Sequence, residues 1–131
     1  MRAYHAAMIK AAIFGLAVTL LPLLGTACGG DDDGARSGLD PGATVTSLSP
    51  GDLTSLCAWS AETQGGAGTT TECGDHTVTV NDAAACADGF TGKTCTLTVG
   101  EFEECIQALR DDPCTAIQSA ACGPIIQCAL G

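Results

Sequence analysis

Cysteine is the residue type best able to do chemistry in this sequence. There are nine: Cys28, Cys57, Cys73, Cys86, Cys95, Cys105, Cys114, Cys122 and Cys128. A thiolate can ligate a metal, attack an electrophile or close a disulfide, and spacing discriminates among these roles. Zinc sites and thioredoxin-like redox centres use Cys-x-x-Cys, whereas the closest pair here is Cys122 and Cys128. The eight cysteines from Cys57 onward therefore read as a structural disulfide framework, with no metal and no cofactor indicated. Cys28 stands apart from them, beside the aspartate run Asp31–Asp33. Those adjacent acids lack the alternate spacing of a calcium loop and read as a solvated spacer.

The remaining reactive types do not assemble into a catalytic pattern. His76 follows Asp75, but in a triad the orienting carboxylate must reach the ring nitrogen remote from the nucleophile, which adjacency alone does not provide. His76 precedes a short alternating stretch in a polar loop and reads as a solvated histidine. Glu103 and Glu104 are neighbours on a helical segment and point different ways around it. The glycines of "GAGTTTECGDH" (67–76 and the flanking Gly66) lack both the spacing and the Lys-Ser/Thr ending of a phosphate loop. No catalytic residue is indicated.

The position of Cys28 depends on what precedes it. "MRAYHAAMIK" carries Arg2 and Lys10 and no acid. An apolar stretch from residue 11 to residue 24 follows, and Gly25, Thr26 and Ala27 end it. A basic start, an apolar middle and a small-residue end are the parts of a secretory signal over 1–27. The apolar stretch is short of the roughly 20 residues that a membrane span needs. Ordinary cleavage after Ala27 would leave an odd number of thiols in an oxidising compartment.

Leu24-Gly25-Thr26-Ala27-Cys28 resembles the lipobox of a bacterial lipoprotein precursor, with Gly25 standing where Leu is usual. The resemblance implies cleavage before Cys28, a diacylglycerol on its thiol and acylation of the new amino group, with palmitate as a typical chain. It also implies an address in the cell envelope. Gly29, rather than aspartate, after the cysteine favours the outer membrane over retention in the inner one. Ordinary secretion or a periplasmic location is the alternative. Lipidation removes Cys28 from the thiol count and leaves eight. The pattern of "LCAW", a glycine-rich loop, "TVTV", "CTLTVGEFEEC" and "DPC", across 52–128, is similar to small cysteine-rich exported proteins of myxobacterial type. That similarity implies a compartment and a framework, and no activity.

Charge narrows the partners. Removing 1–27 takes two of the five basic residues and none of the fifteen acids, moving the formal net charge from −10 to −12. Phosphate binding needs clustered cations, so nucleic acid is not expected as a partner. The expected partners are the membrane, reached through the lipid anchor, and another envelope protein. The core is thin as well. From Pro50 onward only 15 of 82 residues are Val, Ile, Leu, Phe or Trp, too few to hold a domain of that size without cross-links.

The elements that must position these residues follow from caps and periodicity. "GGDDDGARSGLDPGATVTSLS" is rich in small and polar residues, so 28–49 is expected to be a lipidated cysteine and a disordered acidic tether. The stapled domain is expected over 50–131. Ser49, Pro50 and Asp52 open a helix whose apolar stripe is Leu53, Leu56, Cys57 and Ser60, with Gly65 and Gly66 as its stop. Trp59 lies off that stripe and is the candidate contact residue. "TVTV" (77–80) reads as a strand, with "KTCTLTV" as its partner. A short helix capped by Asn81 or Asp82 ends at Gly89. Thr98 and Glu101 form a capping box for the clearest helix, which buries Phe102, Cys105, Ile106 and Leu109. Asp112 and Pro113 start a further helix, which Gly123 and Pro124 break. Eight cysteines allow 105 pairings. Cys86 with Cys95 is the local pairing expected across a glycine-bearing turn, and Cys57 and Cys105 should each join helix to helix. The fold class is thus small, disulfide-rich and mainly α with a short two-stranded β-ribbon. The function expected is a non-enzymatic binding or surface module of the envelope. The alternative is a small secreted hydrolase or inhibitor.

Overall fold

A computed structural model describes residues 36–131. The signal, Cys28 and Asp31–Asp33 lie outside the described residues. The fold is mainly helical, with a two-stranded antiparallel sheet and four disulfides. Helix α1 spans Pro50–Thr63, α2 Ala83–Asp88, α3 Val99–Asp111 and α4 Gly123–Leu130, and strands β1 (Thr70–Cys73) and β2 (His76–Thr79) lie between α1 and α2.

The caps sit where the sequence places them. Ser49 Oγ accepts from the Asp52 amide at 3.1 Å, and Pro50 occupies the first turn of α1, where its missing N–H costs nothing. The helix stops at Gly65 and Gly66, whose φ angles of 95° and 104° only glycine adopts freely. Asp82 caps α2 by accepting from the Ala85 amide at 2.8 Å. In α3 the capping box is complete: the Glu101 amide donates to Thr98 Oγ1 at 3.2 Å, and the Thr98 amide donates to Glu101 Oε2 at 2.9 Å.

Helices α1 and α3 supply most of the core. α1 buries Leu56, Cys57, Ser60 and Ala61, two pairs one turn apart, while Leu53 is only partly buried. α3 buries Val99, Phe102, Cys105 and Ile106, together with Glu103. The apolar cluster they build is completed by Val45, Leu97 and Cys128.

The segment before Pro50 departs from the expected tether. Residues 37–49 fold onto the domain, and Val45 is fully buried. The Val45 amide donates to Leu97 O, and the Val99 amide donates to Ala43 O, both at 2.8 Å. The Gly100 amide donates to Pro41 O at 2.9 Å, and a Cβ on Gly100 would meet that oxygen at 3.2 Å. A side chain there would push the arm away. Glu103 holds the arm's start. Its Oε1 accepts from the Ser37 amide at 2.7 Å and from Ser37 Oγ at 2.6 Å, and its Oε2 accepts from Arg36 Nη1 at 3.1 Å. Composition misses this arm because its few apolar residues, Leu39, Val45 and Leu48, are diluted among polar ones.

The ribbon is real, but its pairing differs from the sequence expectation. β2 pairs with β1, in the register Thr70 with Thr79 through Cys73 with His76. Gly74, at φ 73°, opens the two-residue turn as the primed hairpin types require. The expected partner, "KTCTLTV", lies along the arm instead, bridging Thr98 to Thr44. Its alternating Leu97 and Val99 are both buried, which fixes it at the core rather than at the solvated ribbon. The segment after α3 also differs. It forms two 3-10 turns, Ala116–Gln118 and Ala120–Cys122, rather than one helix. Asp112 ends α3 instead of capping a new helix, and its carboxylate closes the following turn by accepting from Thr115 Oγ1 at 2.7 Å and from the amides of Thr115 and Cys114. Thr115's two donors hold the Asp112 carboxyl below the usual range. Gly123 and Pro124 open α4 rather than ending a helix, because proline is compatible with a first turn.

The disulfides are Cys57–Cys86, Cys73–Cys114, Cys95–Cys128 and Cys105–Cys122. The expected Cys86–Cys95 pair is absent: Cys86 faces α1 from α2, and Cys95 meets α4. Cys57 joins two helices as expected. Cys105 ties α3 to the 3-10 turn that leads into α4. Peptide mapping of the unreduced protein should yield these four linkages, and a peptide joining Cys86 to Cys95 would contradict the fold. Glu103→Leu should cost about 1.5–3 kcal/mol, because it strips the charged acceptor from Ser37 and Arg36. The readout is faster tryptic cleavage after Arg36.

Candidate binding cleft

The sequence-derived candidates do not converge. His76 ends the hairpin turn, with its ring Nδ1 3.2 Å from Asp75 Oδ1 and both side chains exposed. Glu103 is consumed by the arm, whereas its neighbour Glu104 faces solvent. Trp59 is half-buried against the apolar core, and its indole N–H has no hydrogen-bond partner. Among the described residues no cluster of three or more His, Cys, Asp or Glu side chains could hold a metal ion.

A wide cleft lies elsewhere on the described residues. The hairpin, the C-terminal end of α1, and α2, α3 and α4 surround a cleft of about 400 Å³. Its walls come from separate parts of the chain: Val78 and Val80 from the hairpin side, Phe90 after α2, Ile106 and Leu109 from α3, Ile117 and Ile125 beyond it. Phe90 stands edge-on to Phe102, with ring centroids 5.8 Å apart and planes at 71°, an arrangement that suits the aromatic quadrupole. Gln64 and Ser60 supply polarity at one side. Gln64 Nε2 donates to the Ser60 carbonyl and hydroxyl oxygens, each at 3.1 Å. None of the lining residues is charged. Neither His76 nor Trp59 lines the cleft.

Local sequence explains how the walls are held. Val78 and Val80 share one face because strand side chains alternate. The ladder continues past the named strands, with the Gly68 amide donating to Val80 O and the Val80 amide to Thr69 O, both at 2.9 Å. A second hollow of about 330 Å³ also touches Val78, Val80 and Leu109 and is rimmed by Arg110 and Pro113. The hairpin thus spans open space on two sides, and Cys73–Cys114 ties its turn end to the segment after α3. Lys93 Nζ donates to Ala129 O at 2.8 Å, holding the end of α4 beside the cleft. Ile117, 44% exposed, forms part of the rim. Its only sequence signal was an isolated large apolar residue in the helix expected after Pro113, which does not by itself mark a site.

Comparison with protein-family models, with curated proteins and with solved structures returned no match.

The hairpin's attachment is open to direct test. The double variant Cys73→Ser, Cys114→Ser releases a cross-link between residues 41 apart, for which chain entropy gives a loss of about 3–4 kcal/mol. Hydrogen exchange should rise first at the amides of residues 70–80, before those of α1 and α3.

Proposed function

We propose that this chain is an envelope lipoprotein, anchored through acylated Cys28, whose stapled domain works by binding an apolar group in the cleft rather than by catalysis. The observation that carries the binding reading is the uncharged, largely apolar lining of the cleft. Soluble proteins seldom leave such surface open without a use for it. Cleft walls drawn from separate parts of the chain and cross-linked by disulfides favour a preformed site, which lowers the ordering cost of binding.

The anchoring reading rests on the signal pattern and on cysteine parity. Four disulfides use all eight cysteines of the domain, so Cys28 is the one cysteine without a partner among them. Seven residues, 29–35, lie between Cys28 and Arg36 in the sequence. At no more than about 3.6 Å per residue, seven residues span at most about 25 Å. The domain would sit close to the membrane surface. The outer membrane is the address that Gly29 favours, and another envelope protein is the expected neighbour.

Cells grown with labelled palmitate should yield a processed, labelled protein, and Cys28→Ser should abolish the label. A processed chain without label would contradict the anchor. For the binding reading, a photo-crosslinking residue at Ile117 should capture a discrete product on intact cells, whereas the same residue at exposed Asp88 should not.

A further inference from the structure

Resting on the reading that the cleft is a binding site, we infer that its ligand is an uncharged, single aliphatic chain. Three observations select this chemistry. First, the walls offer branched aliphatic side chains and two phenylalanines beside a few neutral polar groups, and no charged residue lies among them to balance a buried ion. Second, the chain carries fifteen acids against five basic residues, a field that repels anionic amphiphiles from the cleft mouth. Third, the volume limits the guest. The cleft holds about 400 Å³. It lies within the range of small-ligand pockets, roughly 300–1,000 Å³.

Orientation follows from where the polar atoms lie. Ser60 and Gln64 occupy one side of the cleft and are already hydrogen-bonded to each other. They can accept or share a hydrogen bond from a hydroxyl at the chain's head, while the tail runs along Ile106, Leu109 and Ile125. The exposed rim residue Ile117 closes over the tail.

The test uses residues 29–131 exported behind a leader that ordinary signal cleavage removes, recovered oxidised from cells, so that neither acyl chains nor the apolar leader must be kept in solution. Calorimetric titration with hexanol, octanol and decanol should give one saturable site. Affinity should rise about fourfold per added methylene, the factor that burial of about 0.8 kcal/mol per methylene implies, until the chain outgrows the cleft. Decanoate should bind at least tenfold more weakly than decanol, with the gap narrowing as salt screens the acidic domain. Ile117→Asp puts a charge on the rim, and Ala129→Trp fills the space from an exposed position. Each should weaken decanol binding tenfold or more while leaving the thermal midpoint and far-ultraviolet circular dichroism unchanged. Decanol binding that either variant leaves intact would overturn the assignment, as would equal affinity for decanoate. Binding to phosphatidylcholine vesicles without binding to decanol would also overturn it. If the Ile117 photo-crosslinker captures a protein and no alcohol binds, the ligand class fails and the cleft remains a binding site. If neither occurs, both readings fail.

Discussion

The constraint on which this structure depends is the shortage of apolar side chains. The central cluster contains only Val45, Leu56, Leu97, Val99, Phe102, Ile106 and Cys128, and one of these is itself a disulfide cysteine. Burial on that scale does not offset the entropy of ordering nearly a hundred residues. Cross-links supply the difference by restricting the unfolded chain. Their distribution follows the need. Cys57–Cys86 fixes the short helix α2, which buries no residue of its own, to α1. Cys73–Cys114 fixes the hairpin, and Cys95–Cys128 and Cys105–Cys122 fix the C-terminal segment to the extended stretch beside the arm and to α3. Each element with little apolar surface has a covalent tie to one with more.

Glu103 is the polar counterpart of those ties. At 1% exposure it is the one acid among the fully buried side chains, and burial of a carboxylate is tolerated only with donors around it. Ser37 provides two and Arg36 one. The contact joins residues 66 and 67 positions apart. It acts together with the Gly100 amide on the Pro41 carbonyl and with Val45 in the core to hold the arm on the domain.

What the sequence made legible was local. Ser49, Asp82 and Thr98 announced their helices through caps, because a cap is a short-range hydrogen bond between residues three apart. The alternation of Val78 and Val80 announced one strand of the ribbon, whereas its partner Thr70–Cys73 lies in a glycine-bearing polar stretch without apolar alternation. Long-range partners were not legible. "KTCTLTV" alternates as a strand should, but alternation does not name the neighbour, and the arm rather than the ribbon lies beside it. The disulfide pairing failed for the same reason: Cys86 and Cys95 are close along the chain, and their true partners are 29 and 33 residues away. Glu103 read as one of two neighbouring acids pointing different ways around a helix, and nothing local named Ser37 as its partner. The cleft was the least legible feature, since its walls combine distant residues that pattern analysis treats separately.

The central claim is that covalent ties, not core burial, hold this domain together. Far-ultraviolet circular dichroism of the protein, recorded before and after full reduction and alkylation at 25 °C, tests it most directly. Four disulfides contribute on the order of 2–4 kcal/mol each, comparable in sum to the whole stability of a typical domain. The account predicts that the helical signal of α1 and α3 collapses on reduction and returns only when the thiols are reoxidised. A reduced protein that keeps its helical signal and melts cooperatively would contradict it.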